Sequence, residues 1–425
     1  MIQPYKNAQY IKILLDRYVL GQSAATKSIA MAVASHFIAC EHNESCDTDD
    51  QIQTDNVLII GPTGCGKSET IRTLKKMCKS YGFPLVFESA SNFAPNDSWK
   101  GTSINIIVSR LFMAAGDIFY ENHPNADTEF ATTVIKHLTE SAGIIVLDEA
   151  DKIFKNISII DSERSSSHDY QSSLLKLVEG CDVTTDSFTH ERKIAVPNPT
   201  TGELEYETET EVIDNVTINT KNIMWILLGA FEGLDKITEF RIKQENVNTQ
   251  HHDYYQCCHM GFIQDKPTTT IINNKTLPKN LTPTIDDLVA YGMKRELAGR
   301  LPIRVQYNRL NANALIRIMR TCPTSAYREY QRRVRLMGHT LIADSSALRY
   351  IAQTAVSNGT GARGLRAIFN DILSPVMFQL SAEPTPHICR LTGTALKNGL
   401  QPTIEKIASQ IGDKQITMQN TKSAS

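Results

Sequence analysis

Gly61-Pro62-Thr63-Gly64-Cys65-Gly66-Lys67-Ser68 is preceded by Asn56-Val-Leu-Ile-Ile60 and followed by a stretch in which Ile71, Leu74 and Cys78 recur at helical spacing up to Gly82. The short apolar run ending at a glycine has the length and composition of a buried parallel strand. The periodic stretch is a helix from Lys67 to Tyr81, stopped by Gly82. Between strand and helix the residues fit GxxxxGK[ST], the phosphate-binding loop of nucleoside triphosphatases. Its chemistry explains the spacing: glycines let backbone N–H groups wrap the phosphates, the lysine reaches the β and γ oxygens, and the hydroxyl ligates magnesium. Lys67 and Ser68 are the residues expected in those two roles.

Gly143-Ile-Ile-Val-Leu-Asp148-Glu149 supplies a second apolar strand that carries two carboxylates out at its tip. Beside bound phosphates, Asp148 would complete the Mg2+ shell and Glu149 would orient and activate water. Together the motifs imply hydrolysis of a nucleotide as well as its binding.

Further runs of strand length occur at Pro84-Leu-Val-Phe87 and Ile223-Met-Trp-Ile-Leu-Leu228, with helical stretches between several of them. This alternation specifies an α/β fold with a parallel sheet flanked by helices. Ahead of the first motif, Ile29, Val33 and Phe37 place a helix capped near Ser23, and Glu41 to Asp55 reads as a polar surface loop. Two stretches rich in Thr, Asn and charge, 183–222 and 241–283, read as long irregular insertions. From Ala312 to about Glu383 the pattern is helical with few strand signals, which implies a smaller helical domain hinged near Leu310-Asn311. The expected division is a large ATPase domain over 1–310, a small domain over 311–386 and a polar tail over 387–425.

The 425 residues suffice for two or three domains, and 41% hydrophobic with 21% charged residues is ordinary for a folded protein. Lys plus Arg number 44 against 46 acidic residues, giving a formal charge of -2 and no global field for nucleic-acid phosphates. Neither a membrane-spanning run nor a signal peptide is recognisable, so a cytoplasmic protein with no membrane partner is expected. The nine cysteines are scattered and odd in number, which suits a reducing compartment. His36, Cys40, His42 and Cys46, and separately Cys257, Cys258 and His259, lack paired CxxC spacing, so loop or core thiols are favoured over zinc sites.

Around the two motifs the chain resembles ClpX-type AAA+ protein unfoldases from about residue 9 to residue 383. The resemblance rests on Tyr18-Val19-Leu20-Gly-Gln22, Asp148-Glu-Ala-Asp-Lys152, Leu174-Leu-Lys-Leu-Val-Glu-Gly180, Gly229-Ala-Phe-Glu-Gly-Leu-Asp235, Glu296-Leu-Ala-Gly-Arg300-Leu-Pro302 and Gly361-Ala-Arg363-Gly-Leu-Arg366, in the family's order. It implies an AAA+ P-loop NTPase large domain followed by a smaller, mainly helical domain, with ATP and Mg2+ as cofactors. The nucleotide set it implies is Val19, Leu20, Gly61, Pro62, Thr63, Gly64, Cys65, Gly66, Lys67, Ser68, Glu69, Asp148 and Arg363. Ser68 and Asp148 would serve the Mg2+; Lys67, Glu149 and Arg300 would be catalytic. Arg300 takes the position of the finger that reaches the γ-phosphate of a neighbouring subunit, and Arg363 that of the sensor which contacts ATP in its own subunit. At the end of the fourth strand, Leu228-Gly229-Ala230 offers no polar side chain for a further sensor.

The same resemblance implies a hexameric homo-oligomer that grips protein substrates in an axial channel and hands them to a ClpP-like peptidase. Trp99 and Lys100 stand where the family has its gripping aromatic and aliphatic residues, Lys100 being a departure. His168-Asp-Tyr170 stands where a glycine-rich inner pore loop is expected, another departure. His190-Glu-Arg192-Lys193 is similar to a basic entrance loop, or is a plain exposed charge run. Met260-Gly261-Phe262 matches the tripeptide that docks on ClpP, although Ile263 and Gln264 break the pattern after it. The family's zinc-binding amino-terminal domain is expected to be absent, and adaptor-dependent substrate selection with it. Three alternatives stand beside this reading: an HslU-type motor, which would carry a helical insertion; a nucleotide-dependent scaffold that does not move polypeptide; and a motor acting on DNA, which predicts a basic face that the balanced charge does not supply, the Arg328, Arg332, Arg333 and Arg335 cluster being more simply a solvated helix face.

Overall fold

The computed structural model describes residues 3–46, 50–93, 104–124, 126–154, 161–197, 204–213, 215–243 and 282–406. The chain divides into two compact units. The first comprises residues up to Asp16, Gln22–Pro62 and Lys67–Asn308; the second comprises Arg17–Gly21, Thr63–Gly66 and the chain from Arg309 on.

The first unit is built on a five-stranded parallel sheet in the order β2-β3-β8-β1-β9. Its strands are β1 (Val57–Ile60), β2 (Leu85–Ser89), β3 (Ile144–Asp148), β8 (Met224–Gly229) and β9 (Ile303–Gln306). β1 and β8 are buried along their whole length, the signature of strands covered on both faces. Helices α1 (Ala8–Asp16), α2 (Ser23–Ser45), α3 (Lys67–Ser80), α4 (Ile106–Asn122) and α5 (Thr128–Ala142) supply much of that cover. The short α6 (Asp151–Phe154), α7 (Asp161–Glu179), α8 (234–243), α9 (Ile285–Tyr291) and α10 (Arg295–Gly299) are the further α-helices among the described residues of this unit. The core between sheet and helices is apolar, with Trp225, Phe93, Phe112 and Phe154 among its largest fully buried side chains. All five strands run the same way, so their carboxyl ends lie along one edge, and register puts Ser89 beside Asp148 and Ile60 beside Gly229. In open α/β sheets this edge is where ligands bind.

In the second unit, α11 (Ala312–Thr321), α12 (Ala326–Leu336), α13 (Ser345–Ser357) and α14 (Gly361–Leu380) pack on a small sheet, β10 (Thr340–Ala343), β11 (His387–Leu391) and β12 (Thr403–Lys406), with α15 (Gly393–Lys397) between the last two strands. Phe369 lies fully buried with its ring stacked on Tyr327 and Tyr330, and Leu315, Val334, Ile351 and Leu373 close the core around it. Side chains cap α11, α12 and α13: Asn311, Ser325 and Asp344 each accept a backbone N–H of the first turn.

Several expectations need correction. Residues 387–406 are not a polar tail, because β11 and β12 pair antiparallel and bury Cys389 and Leu391 in the small sheet. The 183–222 stretch is not irregular: β4 (Asp182–Thr184) pairs with β7 (Thr217–Asn219), and between them β5 (Phe188–Pro197) and β6 (Leu204–Ile213) form a long antiparallel ribbon. Thr- and Glu-rich sequence conceals such a ribbon until its partner strand is known. The presumed loop from Glu41 begins as helix, since α2 continues to Ser45. His168-Asp-Tyr170 lies inside α7, so the backbone there is helix and not a loop. His190, Arg192 and Lys193 lie on β5, with His190 and Arg192 in register with Glu211 and Glu209, so the charge run belongs to a strand and not a loop. No helix among the described residues is long and apolar enough to cross a membrane.

Candidate functional site

The phosphate-loop chemistry begins where β1 ends. Gly61 tolerates no side chain, because a Cβ there would sit 2.6 Å from Cβ of Tyr307 and 2.9 Å from its carbonyl oxygen. Tyr307 braces the turn on both sides: its N–H donates to Ile60 O at 2.7 Å, and its hydroxyl lies 2.6 Å from that of Thr70 on α3. Lys67 opens α3 and is buried, its ammonium donating to the carbonyls of Gly61 and, at 2.9 Å, Pro62. A buried cation requires such partners, and carbonyls leave it able to exchange them for anionic oxygens. Next in sequence, the Ser68 hydroxyl donates to Oδ2 of Asp148 at 3.4 Å. Two motifs distant in the chain therefore meet at the carboxyl edge of the sheet, and they meet through hard oxygen atoms, the donor set that Mg2+ prefers.

Glu149 follows the tip of β3 in a left-handed backbone conformation, φ 57°, rare for a residue with a side chain. Its N–H donates to Oδ1 of Asp148 at 2.8 Å. Its carboxylate Oε2 accepts from Lys152 Nζ at 2.5 Å, Ser89 Oγ at 3.2 Å and Ser91 Oγ at 3.4 Å. The Lys152 ammonium holds the Glu149 carboxyl below its ordinary value, burial opposing it and the two serines assisting. A base held low remains ionised further into acid. Lys152→Met should therefore return Glu149 toward the ordinary carboxylate range and move the acid limb of ATP turnover to higher pH, which a pH–rate profile would register.

Beyond the carboxylates, Asp151 is buried, and its Oδ1 accepts from Ala230 N at 3.2 Å. That carboxylate explains Gly229 at the end of β8, where a Cβ would lie 2.5 Å from Asp151 Oδ1. Arg300 caps α10; its side chain is half-exposed, and its guanidinium reaches Glu179 Oε1, at the end of α7, at 3.1 Å. Ser89, Ser91, Lys152, Asp151 and Glu179 were given no role by the sequence reading. Only the short spacing from Glu149 to Lys152, three residues apart, was a usable signal.

Within the second unit, Val19 is buried with its Cγ1 3.2 Å from where a Cβ on Gly66 would stand, and Ala362 N donates to Gly64 O at 3.1 Å. Gly64 (φ 73°) and Gly66 (φ 109°) take the left-handed backbone that the loop requires. Leu20 is half-buried, and Cys65 is buried. Arg363 lies exposed in the first turn of α14. Trp99, Lys100 and Met260-Gly261-Phe262 fall outside the described residues. Glu69 pairs with Arg72 at 3.2 Å. Among the described residues no three His, Cys, Asp or Glu side chains gather to hold a metal ion. Burial pushes the Cys40 thiol up to about 12 and the His36 imidazole down to about 4, and Cys40 Sγ donates to Ser141 O at 2.7 Å.

Comparison with known proteins agrees with this geometry. Residues 52–304, more than half of the chain, match the AAA domain (Cdc48 subfamily). Curated relatives named ATP-dependent Clp protease ATP-binding subunit ClpX include the protein of Treponema denticola, 30% identical over 372 residues, which are 87% of this chain and 76% of the relative. Those of Azotobacter vinelandii and Borrelia duttonii are each 29% identical, covering 89% and 93% of this chain and 75% and 79% of their own lengths. A hydrolytic nucleotide site at the edge of a five-stranded parallel sheet and relatives matched across most of both chains lead to one conclusion: this chain belongs to the ClpX-type AAA+ ATPases.

Proposed function

We propose that the chain works as an ATP-driven protein unfoldase, a hexameric ring of identical subunits that draws polypeptide through its axis and passes it to a ClpP-like peptidase. The observation that carries this reading is the meeting of Lys67, Ser68, Asp148 and Glu149 at one sheet edge while Arg300 stands half-exposed on a separate element. Such a set can hydrolyse ATP, and an exposed arginine in the finger position suits a second copy of the chain.

In this reading Lys67 exchanges its carbonyl partners for phosphate oxygens. Ser68 and Asp148 hold Mg2+, which supplies charge neutralisation at the β and γ phosphates. Glu149, ionised and steadied on one oxygen by Lys152, Ser89 and Ser91, orients the attacking water. Arg300 of one subunit faces the nucleotide of the next, and Val19, Leu20 and Arg363 take the family's adenine and sensor roles. Movement reaches the polypeptide through Trp99 and Lys100, and Met260-Gly261-Phe262 docks on the peptidase. The names of the curated relatives, subunits of a Clp protease, support the last step.

The deciding measurement is ATP turnover with and without an unfolded polypeptide. Stimulation is expected, and Trp99→Ala should remove the stimulation while leaving basal turnover near its original level. Turnover that ignores both polypeptide and Trp99 would favour a nucleotide-dependent scaffold instead.

A further inference from the structure

We propose that Asn56 is a positioning residue for Arg300, tying the arginine that serves a neighbouring subunit to the foot of the strand that carries this subunit's own phosphate loop. The proposal rests on the reading of Arg300 given above.

Asn56 immediately precedes β1 and is buried. Its Oδ1 accepts the N–H of Trp225 at 2.9 Å, and its Nδ2 donates to the carbonyl of Arg300 at 3.2 Å. The orientation of the amide follows from its partners, since an N–H demands the oxygen and a carbonyl demands the nitrogen. β1 lies between β8 and β9 in the sheet, so this one side chain spans from the start of β8 to the turn that leads into β9. Its own carbonyl meets Ile303 N at 3.4 Å, which fastens that turn a second time. Arg300 is thereby held at two points: its backbone by Asn56, and its guanidinium by Glu179 at 3.1 Å. The backbone contact is part-buried, on the buried Asn56, and it sets where the side chain starts. A carboxylate at position 56 would oppose the Arg300 carbonyl while keeping an acceptor for Trp225, and a serine is too short to reach either partner, so both discard the contact with Arg300.

Asn56→Asp and the smaller, uncharged Asn56→Ser should each lower kcat for ATP roughly tenfold with KM for ATP unchanged, because a misplaced finger costs rate while the subunit's own loop still binds. A loss of stability alone does not predict the next result. Mixed with Glu149→Gln subunits, either variant should regain turnover above the sum of the two proteins assayed apart. The Asn56 variant keeps its own Glu149, and its neighbour contributes a well-placed Arg300. Arg300→Ala mixed with Glu149→Gln is the reference. Recovery in the reference but in neither Asn56 mixture, or an unchanged kcat in both variants, overturns the positioning role of Asn56. No recovery in the reference overturns the finger reading of Arg300, and this proposal with it.

Discussion

Glu149→Gln should bind ATP as the parent protein does and lose turnover by about 10² to 10⁴, the range typical of removing a general base. The substitution is nearly isosteric, and an amide oxygen can still accept from Ser89, Ser91 and Lys152, which now converge on Oε2. Asp148 and its contacts with Ser68 and the Glu149 N–H are retained. The loss should therefore appear in kcat. Steady-state turnover together with equilibrium binding of a fluorescent nucleotide separates the two effects. A variant that fails to bind would show instead that Glu149 supports the loop, and the left-handed backbone at this residue would be the first place to look.

Arg300→Ala should cost more, about 10³ to 10⁵ in turnover, the magnitude associated with arginine fingers. Half of the Arg300 side-chain surface is open and, among the described residues, its guanidinium pairs with the carboxylate of Glu179, an exposed pair that stabilises little by itself. The folded protein should consequently survive the substitution with nearly unchanged thermal stability, while turnover collapses. A circular-dichroism melt beside the turnover assay tests both halves. Equal falls in melting temperature and rate would make Arg300 a structural residue.

The phosphate loop and the Asp148-Glu149 strand tip were legible because their chemistry is local: contiguous residues carry both the backbone conformation and the side-chain roles. β1, β2, β3 and β8 were legible for a related reason, since buried parallel strands are apolar runs of recognisable length. β9 was not, because Ile303-Arg-Val-Gln306 mixes polar with apolar residues and becomes a strand only by pairing with β1. The ribbon of β5 and β6, and β11 with β12, were concealed in the same way. Strand formation in polar sequence depends on a partner that the local pattern does not name. The inner pore loop expected at His168-Asp-Tyr170 came from resemblance, and α7 runs through it.

Taken alone, the sequence determined that this chain binds a nucleoside triphosphate on a glycine loop, places two carboxylates at a strand tip and alternates strands with helices. Those features depend on residue order over a few turns of chain, where bonding and burial are local. The tertiary structure decided which side chains surround them: Ser89, Ser91 and Lys152 on Glu149, Tyr307 against Gly61, Asp151 beside Gly229, and Asn56 and Glu179 on Arg300. Apart from Lys152 and its near neighbour Glu149, these partners are separated by tens to hundreds of residues. What brings them together is the closing of one buried parallel sheet, whose strand order no single segment encodes.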